Sequence, residues 1–274
     1  MSATLILKSL VPPLLWRLGS RIKRRVVTST TLLEYAPRGW ETPLPGRSSS
    51  DDFWSAFIAQ ERAFCEALIA RVHAGEPMLY PDGDANTKYA VFGYVLALAA
   101  RQQPQLSVLD YGGNVGDYYW LGRGLVPDVR LDYHCKELSA VAEAGRRISP
   151  DVTWHTDDAC LDAAHDLVMF SSSIQCLPNW QDVLHRAAPS ARGYLLISDV
   201  PTVRDVPTFV ATHRTGGYTG LQMSINRAEM LRTAERAGLR LIREFPMGPH
   251  PPVVNAPEQP TCMGWLFRPD SPPR

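Results

Sequence analysis

The sequence has no apolar run long enough to cross a bilayer, no excess of charge of either sign and no paired-cysteine motif. Each absence removes a class of function. Of its 274 residues, 28 are Lys or Arg and 28 are Asp or Glu, so no net basic field exists to hold a nucleic acid. Nor does a Lys/Arg stripe interleaved with aromatics stand beside the glycine-rich segment described below, and no nucleic-acid partner is expected. The five cysteines, Cys65, Cys135, Cys160, Cys176 and Cys262, are odd in number, scattered and without C-x-x-C spacing. That argues against a disulfide framework and a zinc site; no metal is expected, and the natural compartment is the reducing cytoplasm.

The first 25 residues are uneven in charge. Leu5, Ile6, Leu7, Leu10, Leu14, Leu15 and Trp16 are interrupted by Lys8, Pro12-Pro13 and Arg17, far short of the roughly 20 apolar residues of a span. The basic cluster Arg21, Lys23, Arg24 and Arg25 follows the apolar run, which fits a signal peptide poorly. Two readings of residues 5–25 stand. One is peripheral contact with an anionic membrane, with Trp16 at headgroup level. The plainer and preferred one is a helix packed on the domain or on a second subunit, as in a homodimer.

What is present is concentrated after residue 105. Ser107-Val108-Leu109-Asp110-Tyr111-Gly112-Gly113-Asn114-Val115-Gly116-Asp117 reads as a buried strand ending in an acid, a glycine-rich turn and a helix start. Gly112, Gly113 and Gly116 permit positive φ and close backbone approach to a ligand. The helix that follows turns its free N–H groups toward that ligand. The dinucleotide pattern G-x-G-x-x-G fails here, because Asn114 stands at the second glycine. Asparagine is the side chain that best tolerates the left-handed conformation.

The pattern then repeats. Arg130 to Glu137 reads as a second strand ending in an acid, with Glu137 about 20 positions beyond Gly116, the spacing of an acid that grips ribose hydroxyls. Leu138 to Arg147 reads as a helix, and Val152 to His155 as a third strand ending at Asp157-Asp158. Asp166 to Phe170 is a continuous apolar run suited to a strand buried on both faces, and Ser171-Ser172 follows at the edge where ligands sit. A helix from Trp180 to Ala188 and a fifth strand, Gly193 to Ser198, come next. A long loop precedes a helix capped by Asn226, which runs from Arg227 to Ala237 and stops at Gly238. Leu239 to Phe245 and Gly264 to Arg268 supply two late strands. Ahead of all this, a Pro/Gly/Ser-rich connector at 36–50 leads to a helix from Phe53 to His73, whose stripe of Phe53, Phe57, Phe64, Leu68 and Val72 reads as core. Asn86 to Ala100 is a further helix.

With Asp110, Gly112 and Gly116 in place, the turn resembles motif I (D-x-G-x-G-x-G) of the class I S-adenosylmethionine (SAM) methyltransferases. More narrowly, VLDYGGNVG, SSSIQCLPNW, LLISDVP, and REF followed by APEQPTCMGWLFR resemble a methyltransferase family encoded beside surface-polysaccharide genes. The likeness runs from Met78 to Phe267. It departs at Asp199, where that family carries a basic residue, and near His213, where it carries a glutamine. The resemblance implies an α/β, Rossmann-like fold with a seven-stranded, mostly parallel sheet, an antiparallel edge pair and an N-terminal helical extension. Residues 1–35 would be a basic amphipathic segment, 36–104 a connector and helical cap, and 105–270 the SAM-binding domain.

On this reading the cofactor is SAM, held by Asp110, Tyr111, Gly112, Gly113, Asn114, Gly116, Glu137, Leu138, Asp157, Asp158, Ser171 and Ser172, with Asp157 or Asp158 toward the adenine. The acceptor is a small molecule, sugar or glycan methylated on O or N. His213 is the expected base, since histidine titrates near neutrality, and Tyr80, Lys88, Arg214, Tyr218 and His250 are expected acceptor contacts. Two other readings stay open. One is an NAD-dependent oxidoreductase or epimerase, against which stands the lack of a Tyr-x-x-x-Lys pair. The other is a catalytically idle module that serves as a partner or regulator.

Overall fold

The computed structural model describes residues 32–44, 51–77, 83–102, 104–215 and 218–270. The expectations placed on residues 5–25 and on Tyr80 lie outside the described residues, as does the side chain of Tyr218. Among the described residues no helix is long and apolar enough to cross a membrane.

The strands are β1 (Leu32–Tyr35), β2 (Gln105–Tyr111), β3 (Arg130–Lys136), β4 (Thr153–His155), β5 (His165–Ser171), β6 (Ala191–Val203), β7 (Phe209–Thr215), β8 (Tyr218–Asn226), β9 (Leu239–Pro249), β10 (Val253–Val254) and β11 (Thr261–Pro269). The helices are α1 (Asp51–His73), α2 (Gly83–Ala99), α3 (Asp117–Leu125), α4 (Ser139–Ile148), α5 (Trp180–Ser190) and α6 (Arg227–Arg236). Seven strands form the central sheet in the order β4-β3-β2-β5-β6-β11-β9. The first five are parallel, and β11 runs antiparallel to both neighbours. This is the Rossmann-like methyltransferase fold, with the expected antiparallel edge. Strand order reverses between β2 and β5, and that switch point opens the crevice where doubly wound sheets bind ligands.

Burial explains the strands. Val108, Leu109 and the run from Leu167 to Phe170 are completely buried, as strands covered on both faces must be. One face packs against α5 and α6 through Trp180, Val183, Leu184, Met230 and Ala234. The other packs against α1 to α4 through Leu68, Phe92, Leu96, Trp120 and Val141. The side chain of Asn226 accepts from the Glu229 amide at 3.1 Å and caps α6, and Gly238 (φ 76°) follows the last turn.

One expectation is corrected. The stretch between β6 and α6 is not a loop: β7 and β8 pair antiparallel from Phe209↔Ser224 to Thr215↔Tyr218. With β1 and β10 they form an accessory sheet ordered β10-β1-β7-β8, joined to the end of β6 where Thr202 and Val203 meet Ile225 and Asn226. Leu33, Val203, Phe209, Ala211 and Val253 close a small core of their own, which holds this sheet in place.

Packing against α4 is tight enough to test. A Cβ at Gly145 would stand 2.2 Å from the Trp154 ring, which is itself held by its Nε1 donating to the Ser149 carbonyl at 3.3 Å. Gly145→Ala is therefore expected to destabilise the domain by about 1–3 kcal/mol through overpacking. Urea denaturation measures this, and a neutral effect would contradict the packing.

Candidate functional site

The turn after β2 is built around its acid. Gly112 (φ 84°), Asn114 (φ 53°) and Gly116 (φ 87°) all take left-handed conformations. A Cβ at Gly112 would meet the Ser173 Cβ at 2.4 Å, and Ser173 Oγ donates to the Tyr111 carbonyl at 2.6 Å. The ends of β2 and β5 are thus strapped together across the switch point. Gly113 is needed for a different reason: a Cβ there would lie 2.4 Å from Asp110 Oδ2 and 2.7 Å from Cys135 Sγ. The backbone folds directly over the Asp110 carboxylate.

That carboxylate is fully buried. Its Oδ2 accepts from the Tyr133 hydroxyl at 2.8 Å, while Oδ1 has no hydrogen-bond partner. Burial pushes its pKa up to about 8. Asp117, the first residue of α3, is half-buried, with a buried, unpartnered Oδ1; burial of the carboxylate, then the field of Glu61, push it to about 7. Glu61, on α1, accepts from the Asn114 side-chain amide, and its pKa is raised, chiefly by burial. Glu137 accepts from the backbone N–H groups of Asn114 (3.2 Å) and Leu138 (2.6 Å), yet burial still raises it.

These four acids line one cavity of about 1070 Å³ at the switch point. Two lysines line it with them. Lys88 is committed to an ion pair with Asp199. Lys136 lies 4.4 Å from the centre of the Tyr111 ring and 3.7 Å from Asp158. Carboxylates therefore outnumber available cations, and desolvation makes each ionised carboxylate costly until an opposite charge arrives. Phe57 and Phe64 of α1, with Tyr89 and Tyr118, complete the wall. Tyr118 shares a 2.9 Å hydrogen bond with Ser171.

A second chamber of about 250 Å³ shares Lys88, Ser172 and Asp199 with the first. Ser172 (φ 54°) and Asp199 (φ 58°), with Asn114, are three of the four described non-glycine residues with left-handed φ. Such conformations cost about 1–3 kcal/mol each and persist where the surroundings enforce them, commonly at functional sites. Here all three stand on the cavity walls.

Of the expected cofactor residues, Asp110, Tyr111, Gly112, Asn114, Glu137, Leu138, Ser171 and Ser172 come together on the large cavity. Gly113 and Gly116 shape the turn behind it. Asp157 and Asp158 are not on its wall. The Asp157 carboxylate caps a short helical turn by accepting from Ala159 N at 3.0 Å. Asp158 accepts from the Tyr111 hydroxyl at 2.5 Å and faces Lys136 and Arg186.

Among the expected acceptor residues, Lys88 stands between the two chambers and His250 lines the smaller one. His213 and Arg214 lie on β7 and line neither. His213 shares a sheet face with Gln222, through its pairing with Gly220. Burial lowers its pKa, and its charge acts on His250. Glu61, Asp117 and Tyr118 line the large cavity without having been singled out, and Phe57 and Phe64 line it where core was expected. For Asp117 a signal existed, since it follows Gly116 directly.

No family model matches the chain, and no curated protein matches it. Solved structures do. The CcbJ methyltransferase from Streptomyces caelestis is 17% identical, over 69% of this chain and 93% of its own, with a TM-score of 0.46. CalS10, an amino pentose methyltransferase from Micromonospora echinaspora solved with SAM bound, is 14% identical over 66% and 89%, with a TM-score of 0.44. An O-methyltransferase family protein from Burkholderia thailandensis is 15% identical over 94% and 70%, with a TM-score of 0.48. At these values the likenesses carry no argument of their own, and the fold assignment rests on the strand order.

The raised acids make the ligand-free protein sensitive to base. Asp110, at about 8 in the folded chain against 3.8 when exposed, binds more proton folded than unfolded across that interval. Its contribution to stability therefore falls as pH rises through 8. Urea denaturation is expected to show Asp110→Asn gaining stability relative to the parent between pH 6 and 9. A constant difference would mean that the carboxylate is not held protonated.

Proposed function

We propose that this chain is a SAM-dependent methyltransferase that transfers a methyl group to an O or N atom of a small molecule, sugar or glycan. The observation that carries this reading is the cluster of acids around the large cavity, which a cation would allow to ionise: Glu61, Asp110, Asp117 and Glu137 surround it, and two of their buried oxygens have no partner. SAM brings a sulfonium and an ammonium to such a site. The pyrophosphate of NAD would meet these same carboxylates, and the first turn of α3, where an anion would be held, is already faced by Asp117. The acid cluster thus disfavours the dinucleotide and has no use in an idle module.

Glu137, at the end of β3, would take the ribose hydroxyls, and the exposed side chain of Leu138 at the cavity mouth would meet the adenine. Asp110, Asp117 and Glu61 would answer the positive charges. When bound, SAM supplies an electrophilic methyl carbon. The chain's own part is positioning, which is worth about 7–11 kcal/mol when reacting groups are well oriented. Phe57 and Phe64 give the large cavity an aromatic wall, and Ser172 and Asp199, both left-handed, stand where the two chambers meet. The likeness of the late segments to a family encoded beside surface-polysaccharide genes supports a sugar or glycan as acceptor.

Calorimetric titration with S-adenosylhomocysteine, with NAD in parallel, tests the reading. Micromolar binding of the former alone is expected. Glu137→Ala should weaken that binding about tenfold or more, since hydrogen bonds to charged groups contribute about 1.5–3 kcal/mol. Binding of NAD alone would overturn the proposal.

A further inference from the structure

The smaller chamber has a chemistry of its own. Its wall is divided: Met247, Pro201, Pro249 and Pro251 offer carbon surface, while Gln175, Gln222 and His250 offer polar groups. It carries no uncompensated charge. Lys88 and Asp199 neutralise one another. Burial holds His250 below its ordinary pKa and hence neutral; the Pro251 backbone and Asp199 act to raise it and His213 to lower it further.

Two polar atoms on these residues are buried with no partner, Oε1 of Gln175 and Nδ1 of His250. The Gln175 side chain, 3% exposed, is oriented by its Nε2, which donates to Ser172 Oγ at 3.2 Å. The free atom is therefore an acceptor. His250 Nε2 lies 3.4 Å from the Gln222 side-chain amide nitrogen. A neutral ring that accepts from that amide carries its proton on Nδ1. The chamber thus presents one unmatched acceptor, on Gln175, and one donor, on His250, whose Nδ1 completes no hydrogen bond although the Pro251 backbone acts on the ring. Leaving either buried and unpaired costs more than a formed hydrogen bond contributes, so a ligand that matches both is selected strongly.

A hydroxyl group offers both a donor and an acceptor and brings no charge. The geometry points to this chamber as the acceptor site, taking a compact uncharged molecule whose hydroxyl groups bond Gln175 Oε1 and His250 Nδ1 and whose carbon face lies on the prolines. The inference rests on the methyltransferase reading. It narrows that reading from a small molecule in general to an uncharged, hydroxyl-bearing one, and it makes His250 and Gln175 the residues that recognise it.

The test uses the full chain loaded with S-adenosylhomocysteine and three glycosides of matched size: methyl β-D-glucoside, the anionic methyl β-D-glucuronide and the cationic methyl β-D-glucosaminide. Saturation-transfer NMR at millimolar glycoside is expected to show binding of the neutral compound above the other two. His250→Ala and Gln175→Leu should each weaken it about fivefold or more, the loss of one hydrogen bond with its buried partner left unmatched. Affinity for S-adenosylhomocysteine should stay within about twofold, which also reports that both variants fold. A stronger signal from either charged glycoside, no signal from the neutral one, or full binding by both variants would overturn the inference while leaving the methyltransferase reading intact. Failure of the parent protein to bind S-adenosylhomocysteine would remove that reading, and this inference with it.

Discussion

The carboxylate of Asp110, buried at the end of the central strand with one hydroxyl to answer it, is the constraint around which the site is arranged. Gly113 has no Cβ because that carboxylate occupies the space. Tyr133 reaches it from β3, which requires the parallel register running from Gln105↔Arg130 to Tyr111↔Lys136. The turn then passes over it through two left-handed residues, Gly112 and Asn114, and ends at Gly116. Burying an acid beside other acids is unfavourable unless something positive completes the group. The protein is thus built for its ligand at some cost to its ligand-free form.

Two sheets meet at the place where chemistry is expected. The central sheet supplies the acid-lined cavity from the ends of β2, β3 and β5, and α1 closes it with Glu61, Phe57 and Phe64. The smaller chamber draws on β8 through Gln222 and on the segment after β9 through His250. Strand β6 links the two: it passes Asp199 in a left-handed conformation and continues to Val203, where the accessory sheet attaches. A kink at Asp199 is what allows one strand to serve both, with Lys88 holding its carboxylate.

The central sheet was legible because burial on both faces leaves an unmistakable mark. Leu167-Val168-Met169-Phe170, a short apolar run bounded by Asp166 and three serines, reads as a buried strand, and the acid-then-glycine order after Leu109 places the turn. The accessory sheet was hidden by its half-exposed composition: Thr212-His213-Arg214-Thr215 looks like loop, and its strand character comes from pairing with Leu32 to Tyr35, far away in sequence. A cue was present, since Gly216-Gly217 between two β-rich runs is a hairpin signal. The same misreading carried His213 into the expected site. Its position on β7 sets it outside both chambers, whereas His250, in a proline-rich stretch with no periodicity, arrives through folding alone. Glu61 was unreadable for another reason. Nothing in an amphipathic helix says that one acid on its polar side turns inward over a distant turn.

The central claim is that the large cavity holds protonated carboxylates that ionise when a cation binds. The most direct measurement is the number of protons released when SAM binds at pH 7, from calorimetry in buffers of different ionisation enthalpy. With Asp110 near 8 and Asp117 near 7 in the ligand-free protein, net release of about one proton is predicted. Binding without proton release, or with uptake, would contradict the account.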